Sequence, residues 1–195
     1  APKKFDEAAH HQLAKRAAAE SIVLLKNEDG ILPLNPCRKV TLIGDFVCTP
    51  RYQGAGSSMV NPTRLDSLAD VAETAGLNLI GYCSGYERSG KPNKAYLAEA
   101  VAQAKLADIV ILCIGLDESS ESEGLDRTHI CIPAVQKELL DAVAAVNKNI
   151  VAIISAGSVI ETDWVEKCKA VVHGYLGGQA GAGAVMDVLT GWQNP

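Results

Sequence analysis

Five short apolar runs, each separated from the next by a segment with helical periodicity, constrain this chain more than any other feature. They lie at residues 40–44 (VTLIG), 77–82 (LNLIGY), 109–115 (IVILCIG), 150–155 (IVAIIS) and 170–176 (AVVHGYL). Most are rich in Val and Ile and nearly continuous rather than alternating. Strands read this way when helices cover both faces of their sheet.

The intervening segments carry apolar residues at helical spacing. Phe5, Ala9, Leu13 and Ala17 recur every fourth residue ahead of the first run. Thr63-x-x-Asp66 reads as a capping box opening a helix with Leu65, Leu68, Ala69 and Ala72. Leu97, Ala100, Val101 and Ala104 share a face, as do Val135, Leu139, Val143 and Val146 behind Pro133. Ala182, Val185, Met186 and Leu189 form the last set. Strand alternating with helix predicts an α/β fold, a three-layer α/β/α sandwich around a mainly parallel sheet with right-handed crossovers. The 195 residues suffice for one such domain with a real core.

Composition narrows the function. Charged residues make up 21% and the net charge is −5, which argues against an electrostatic nucleic-acid binder. No apolar run approaches the roughly 20 residues of a membrane span, so neither nucleic acid nor membrane is expected as a partner. The opening stretch is polar and amphipathic, unlike a signal peptide. Six cysteines are scattered without CxxC or Cys/His ligand spacing, and Cys113 within an apolar run reads as a core thiol. That usage favours a reducing compartment, hence a cytoplasmic location. No metal or other cofactor is called for.

In an open parallel sheet ligands approach the carboxyl ends of the strands, so the loops leaving the strands carry the information. Two are too long to be mere connectors. Residues 45–58 follow the first run and include Arg51 and GAGSS (Gly54, Gly56, Ser57, Ser58); residues 116–127 follow the third. A shorter loop, 83–93 (CSGYERSGKPN), follows the second. The glycines of GAGSS lack the spacing of a dinucleotide fingerprint and the Gly-Lys-Ser/Thr of a P-loop. They suit a loop that approaches another surface closely, with Arg51, Ser57 and Ser58 offering polar contacts; a plain surface turn is the alternative.

The loop 116–127 carries Asp117, Glu118, Glu121, Glu123 and Asp126, closed by Arg127. Taken alone it reads as a solvated acidic loop with Asp126 and Arg127 paired, or as the seat of a general acid/base. The D-x-D-x-D-G pattern of a calcium loop is missing. His10 and His11 are expected to face solvent from the first helix, His173 to be a core residue, and His129 flanks the acidic loop. No GxSxG elbow supports a serine-hydrolase triad.

Several segments, in order, resemble the C-terminal domain of family 3 glycoside hydrolases, the β-glucosidase group. They are 13–34 (LAKRAAAESIVLLKNEDGILPL), 39–45 (KVTLIGD), 53–62 (QGAGSSMVNP), 121–127 (ESEGLDR), 155–164 (SAGSVIETDW) and 174–191 (GYLGGQAGAGAVMDVLTG). The resemblance covers nearly the whole chain and implies a six-stranded sandwich, with residues 1–34 an entry helix and linker packing on a domain of residues 35–195. It also implies a preceding (β/α)8 barrel of the same polypeptide that supplies a nucleophilic aspartate. Asp163, in a Thr-Asp-Trp that mimics the family's S-D-W, falls in the sandwich and is read as structural.

The implied activity is that of a retaining exo-β-glycosidase acting on a terminal β-glucoside or oligosaccharide. Glu123, or Glu121 as the close second, would serve as its acid/base. Asp126 and Arg127 would hold the loop's shape, while Arg51, Gly54, Gly56, Ser57 and Ser58 would line the cleft or the interface. A non-catalytic module completing another domain's site, a β-xylosidase domain and a β-N-acetylglucosaminidase domain are the alternatives, as is a nucleotide-binding domain. A homo-oligomer is compatible with the chain.

Overall fold

The computed structural model describes residues 5–195. Six strands, β1 (Val23–Asn27), β2 (Lys39–Ile43), β3 (Asn78–Cys83), β4 (Ile109–Gly115), β5 (Ile150–Ser155) and β6 (Ala170–His173), form one sheet in the order β1-β6-β5-β4-β2-β3. All neighbours are parallel except β1, which runs antiparallel to β6. The helices are α1 (Glu7–Ser21), α2 (Leu68–Thr74), α3 (Lys94–Leu106), α4 (Ala134–Val146) and α5 (Gly181–Thr190).

Strand period sorts the core into two layers. Leu42, Ile111, Cys113, Val151 and Ile153 pack with α1, α2 and α5. Ile43, Leu112, Ile114, Ala152 and Ile154 face the other way, against α3 and α4. Each fully buried Leu or Ile contributes roughly 1.5–3 kcal/mol. Burial pushes the Cys113 thiol up to about 12, as suits inert packing. Among the described residues no helix is long and apolar enough to cross a membrane.

The five apolar runs become β2–β6, although β6 ends at His173, where Gly174 and Tyr175 at φ 52° leave extended geometry. β1 gives no continuous apolar signal because it is a short edge strand with a bulge and alternating exposure. It comes from residues 1–34, so this segment contributes a strand to the sheet in addition to the entry helix.

Three local expectations are corrected. The cap of α2 is Ser67, whose hydroxyl accepts from Asp70 N at 3.2 Å; Thr63 plays no such part. Asp66 instead accepts from Arg64 Nε at 2.8 Å and lies 2.8 Å from His11 Nε2. His11, expected in solvent, is 3% exposed, and its Nδ1 is 2.9 Å from Gln179 Nε2. The inward face of α1 carries His11, Ala18 and Ala19, whereas Phe5 and Leu13, which suggested the opposite face, are exposed. His10 is exposed, as expected.

Replacing His11 by Ala leaves one oxygen of the buried Asp66 carboxylate without its partner, Arg64 holding only the other, and should cost about 1–3 kcal/mol. His10→Ala should stay within about 0.5 kcal/mol of the parent chain. Denaturant unfolding of both variants checks this pair, and equal stabilities would contradict the buried role.

The order of the strands places the site. β2 lies between β3 and β4, so the chain first winds outward to β3 and then returns past β2 to β4. The crossovers leaving β2 and β4 pass to opposite faces of the sheet, through α2 and α4, so the winding reverses between the carboxyl ends of these two strands.

Candidate functional site at the strand ends

The acidic loop starts at Gly115, whose φ of 144° only glycine adopts without strain. A Cβ there would stand 2.0 Å from the Ser155 carbonyl oxygen, which instead accepts from Leu116 N at 2.9 Å. The loop thus leaves β4 in close contact with β5. Asp117 anchors its first turn, accepting from Ser120 N at 2.8 Å and from the Ser119 hydroxyl. Burial pushes the Asp117 carboxyl up, but the bonds from Ser120 and Ser119 outweigh this and hold it below its ordinary value.

Beyond this turn the two glutamates diverge. The Glu121 carboxylate turns inward, accepting from Gly157 N at 2.9 Å and lying 3.9 Å from an Arg51 nitrogen. Glu123 turns outward and is exposed. Its carboxylate accepts from Ser57 N at 2.7 Å and from the Ser57 hydroxyl, while its own N–H donates to the Ala55 carbonyl at 3.2 Å. Gly56 makes this approach possible: at φ 96° it leaves a gap that a Cβ would fill, 2.6 Å from Glu123 Cβ. Gln53 closes the same loop, accepting from Val60 N and donating to Val60 O, both at 3.0 Å.

An open cleft of about 660 Å³ brings together Gly54, Ser57, Ser58, Glu121, Glu123, Asp126 and Arg127. Two expectations change. Arg51, expected to offer contacts in the cleft or at an interface, is 3% exposed and lies beneath the loop. Asp126 and Arg127 do not pair. Arg127 donates to the Ser158 hydroxyl at 2.9 Å and Val159 O at 2.7 Å, tying the loop to the segment after β5, and Asp126 is exposed.

His129 Nδ1 accepts from Cys131 N at 3.2 Å. His173 is half-buried at the end of β6, stacked 3.9 Å from Tyr175, and burial lowers its pKa against the raising influence of Glu121. Asp163 pairs with Lys137 at 3.1 Å, next to the buried Trp164, and does not line the cleft.

Arg88 was missed by sequence reasoning. It donates to Asp45 at 2.6 Å, reaches Glu118 at 3.3 Å, donates to Thr49 O and stacks 4.9 Å over Phe46. The available signal was its position: it sits in the loop leaving β3, at the same edge of the sheet as the acidic loop. Among the described residues no group of three or more metal-binding side chains converges.

Hydrogen bonds from the Ser57 hydroxyl and backbone hold Glu123 below the ordinary glutamate value, against slight desolvation. As it stands, the group is a carboxylate at neutral pH, a base or a charge stabiliser. A second carboxylate brought close would raise its proton affinity and make it a donor.

The fold is thus an α/β sandwich that carries an exposed carboxylate, cradled by Ser57, at the carboxyl ends of its parallel strands. The profile of the glycosyl hydrolase family 3 C-terminal domain matches residues 22–195, and the chain belongs to that family. It is 48% identical to thermostable beta-glucosidase B of Acetivibrio thermocellus, with 98% of this chain aligned to 26% of that protein. It is 42% identical to an exo-alpha-(1->6)-L-arabinopyranosidase of Bifidobacterium breve, with 98% of this chain aligned to 27% of that protein. The crystal structure of a Bifidobacterium adolescentis GH3 beta-glucosidase superposes with a TM-score of 0.93 at 44% identity, over 98% of this chain and 28% of that one. The chain therefore spans about a quarter of the length of these relatives.

Ser57→Ala should raise the Glu123 titration toward the ordinary glutamate range, read by carboxyl NMR. The lowered folded value means that the Ser57 bonds stabilise the fold above the unfolded glutamate pKa. That contribution is lost as pH falls through the folded value. The variant keeps the backbone bond and should show a smaller acid-dependent loss; an unchanged titration would contradict the hydroxyl's part in the cradle.

Proposed function

We propose that this chain is the C-terminal domain of a retaining exo-β-glycosidase, most readily a β-glucosidase, and that it supplies the acid/base carboxyl Glu123. The observation that carries this reading is the divergence of the two glutamates. Glu123 projects into the cleft from a cradle that only glycine at position 56 permits, while Glu121 is turned inward to Gly157 N and Arg51. Similarity to beta-glucosidase B over nearly the whole chain supports the substrate class.

In this reading the entry segment joins the sandwich through β1, and a (β/α)8 barrel of the same polypeptide faces the cleft. A barrel aspartate attacks the anomeric carbon while Glu123 gives its proton to the departing glycosidic oxygen. Water then attacks the same carbon, Glu123 takes its proton, and the aspartate ester breaks. Retention requires the two carboxyl groups about 5–5.5 Å apart. At that distance the aspartate charge raises the proton affinity of Glu123 above its value in the sandwich alone. By itself the domain lacks the nucleophile and is inactive. The 42% identity to an arabinopyranosidase favours a second reading of the glycone only, with the same acid/base.

The test uses the full polypeptide. Glu123→Ala should cut cellobiose hydrolysis by about 10²–10⁴-fold. Cleavage of an aryl glucoside with a highly acidic leaving group should fall far less, and azide should restore its turnover as glycosyl azide. Glu121→Ala should show neither the split nor the rescue. The opposite pattern would move the role to Glu121, and normal cellobiose activity in both variants would end the proposal.

A further inference from the structure

Arg51 is an expensive residue for this fold. Its side chain is 1% exposed, yet it makes one hydrogen bond, from a terminal nitrogen to the Glu121 carbonyl oxygen at 2.9 Å. The Glu118 and Glu121 carboxylates stand at 4.0 and 3.9 Å, and Nε has no partner. Beside it lies a partly open space of about 50 Å³ with a mainly apolar lining that includes Phe46, Cys113 and Ile153 along with Ser155 and Tyr175. A buried guanidinium needs good geometry and full hydrogen bonding to offset its desolvation. This one has a single close hydrogen bond and two carboxylates at the limit of ion pairing, so fold stability alone is a poor account of it.

Its position supplies another. The one strong bond fixes the main chain at Glu121, two residues before Glu123, and the charge faces two carboxylates, Glu121 turned inward at 18% side-chain exposure and Glu118 still 43% exposed. Glu118 is held from its far side by Arg88, itself bound to Asp45. We propose that Arg51 is a positioning residue for the proton donor: its buried guanidinium holds the Glu118–Glu121 segment down so that Glu123 alone of these glutamates turns out over Ser57. The inference rests on the assignment of Glu123 above. A lysine keeps the charge but lacks the planar fork that faces Glu118 and the Glu121 carbonyl together.

The experiment uses the full polypeptide and a series of aryl β-glucosides of graded leaving-group acidity, with cellobiose as the poorest. Arg51→Lys, Arg51→Met and Glu123→Ala are compared, and thermal unfolding is followed for each. Misplacing a proton donor by about 1 Å costs up to about 100-fold, and only where the leaving group needs the proton. Both Arg51 variants should therefore lose about 10- to 100-fold on cellobiose and less than about threefold on the most acidic leaving group. Arg51→Met should show the larger loss; if it fails to fold, Arg51→Lys decides. A uniform fall across the series, or no fall, overturns the inference. A steep series in Glu123→Ala with flat Arg51 variants overturns this inference alone. A flat series in Glu123→Ala overturns the donor assignment and this inference with it.

Discussion

Five parallel strands must leave their carboxyl ends at one edge of the sheet, and the rest of this molecule depends on that constraint. Because β2 and β4 are neighbours while β3 lies outside β2, the two longest loops meet at the switch point, where Ser57 bonds Glu123. Hydrogen bonding between parallel neighbours fixes strand direction, and burial on both faces fixes register, since a slip of one residue would exchange the two core layers. The cleft is therefore set by the most buried part of the chain. The Gly115 exit against the Ser155 carbonyl carries this rigidity into the first residue of the acidic loop.

Charge is distributed over that loop by depth. Asp117 is satisfied by its own turn, Glu118 lies between Arg88 and Arg51, Glu121 is pulled inward, and Glu123 is cradled at the surface. Similar side chains a few residues apart thus occupy different environments. The cradle keeps Glu123 ionised until another negative group approaches. In the proposed enzyme its protonation is thereby tied to the meeting of two domains.

Much of the fold was legible because continuous apolar runs and four-residue spacing are direct images of burial. The failures have physical causes. β1 is an edge strand and so lacks the pattern of a buried one. The helical stripe through Phe5 and Leu13 pointed outward because α1 buries alanines and a histidine. At the site, the sequence brought Gly54, Ser57, Ser58, Glu121, Glu123, Asp126 and Arg127 to one cleft. Spacing did not distinguish Glu121 from Glu123, because the difference is made by Gly157 N and Ser57, which lie 36 and 66 residues away. Nor does a one-dimensional pattern reveal that Arg51 is buried, since arginine ordinarily signals surface.

The central claim is that Glu123, held out by its cradle while Glu121 is held in, is the carboxyl that faces the nucleophile. The most direct measurement is a crystal structure of the full polypeptide trapped as its covalent 2-deoxy-2-fluoroglucosyl intermediate. The account predicts a Glu123 carboxyl about 5–5.5 Å from the esterified aspartate, with Glu121 farther off and still bound to Gly157 N. Glu121 at that distance, or neither glutamate near the anomeric carbon, would contradict it.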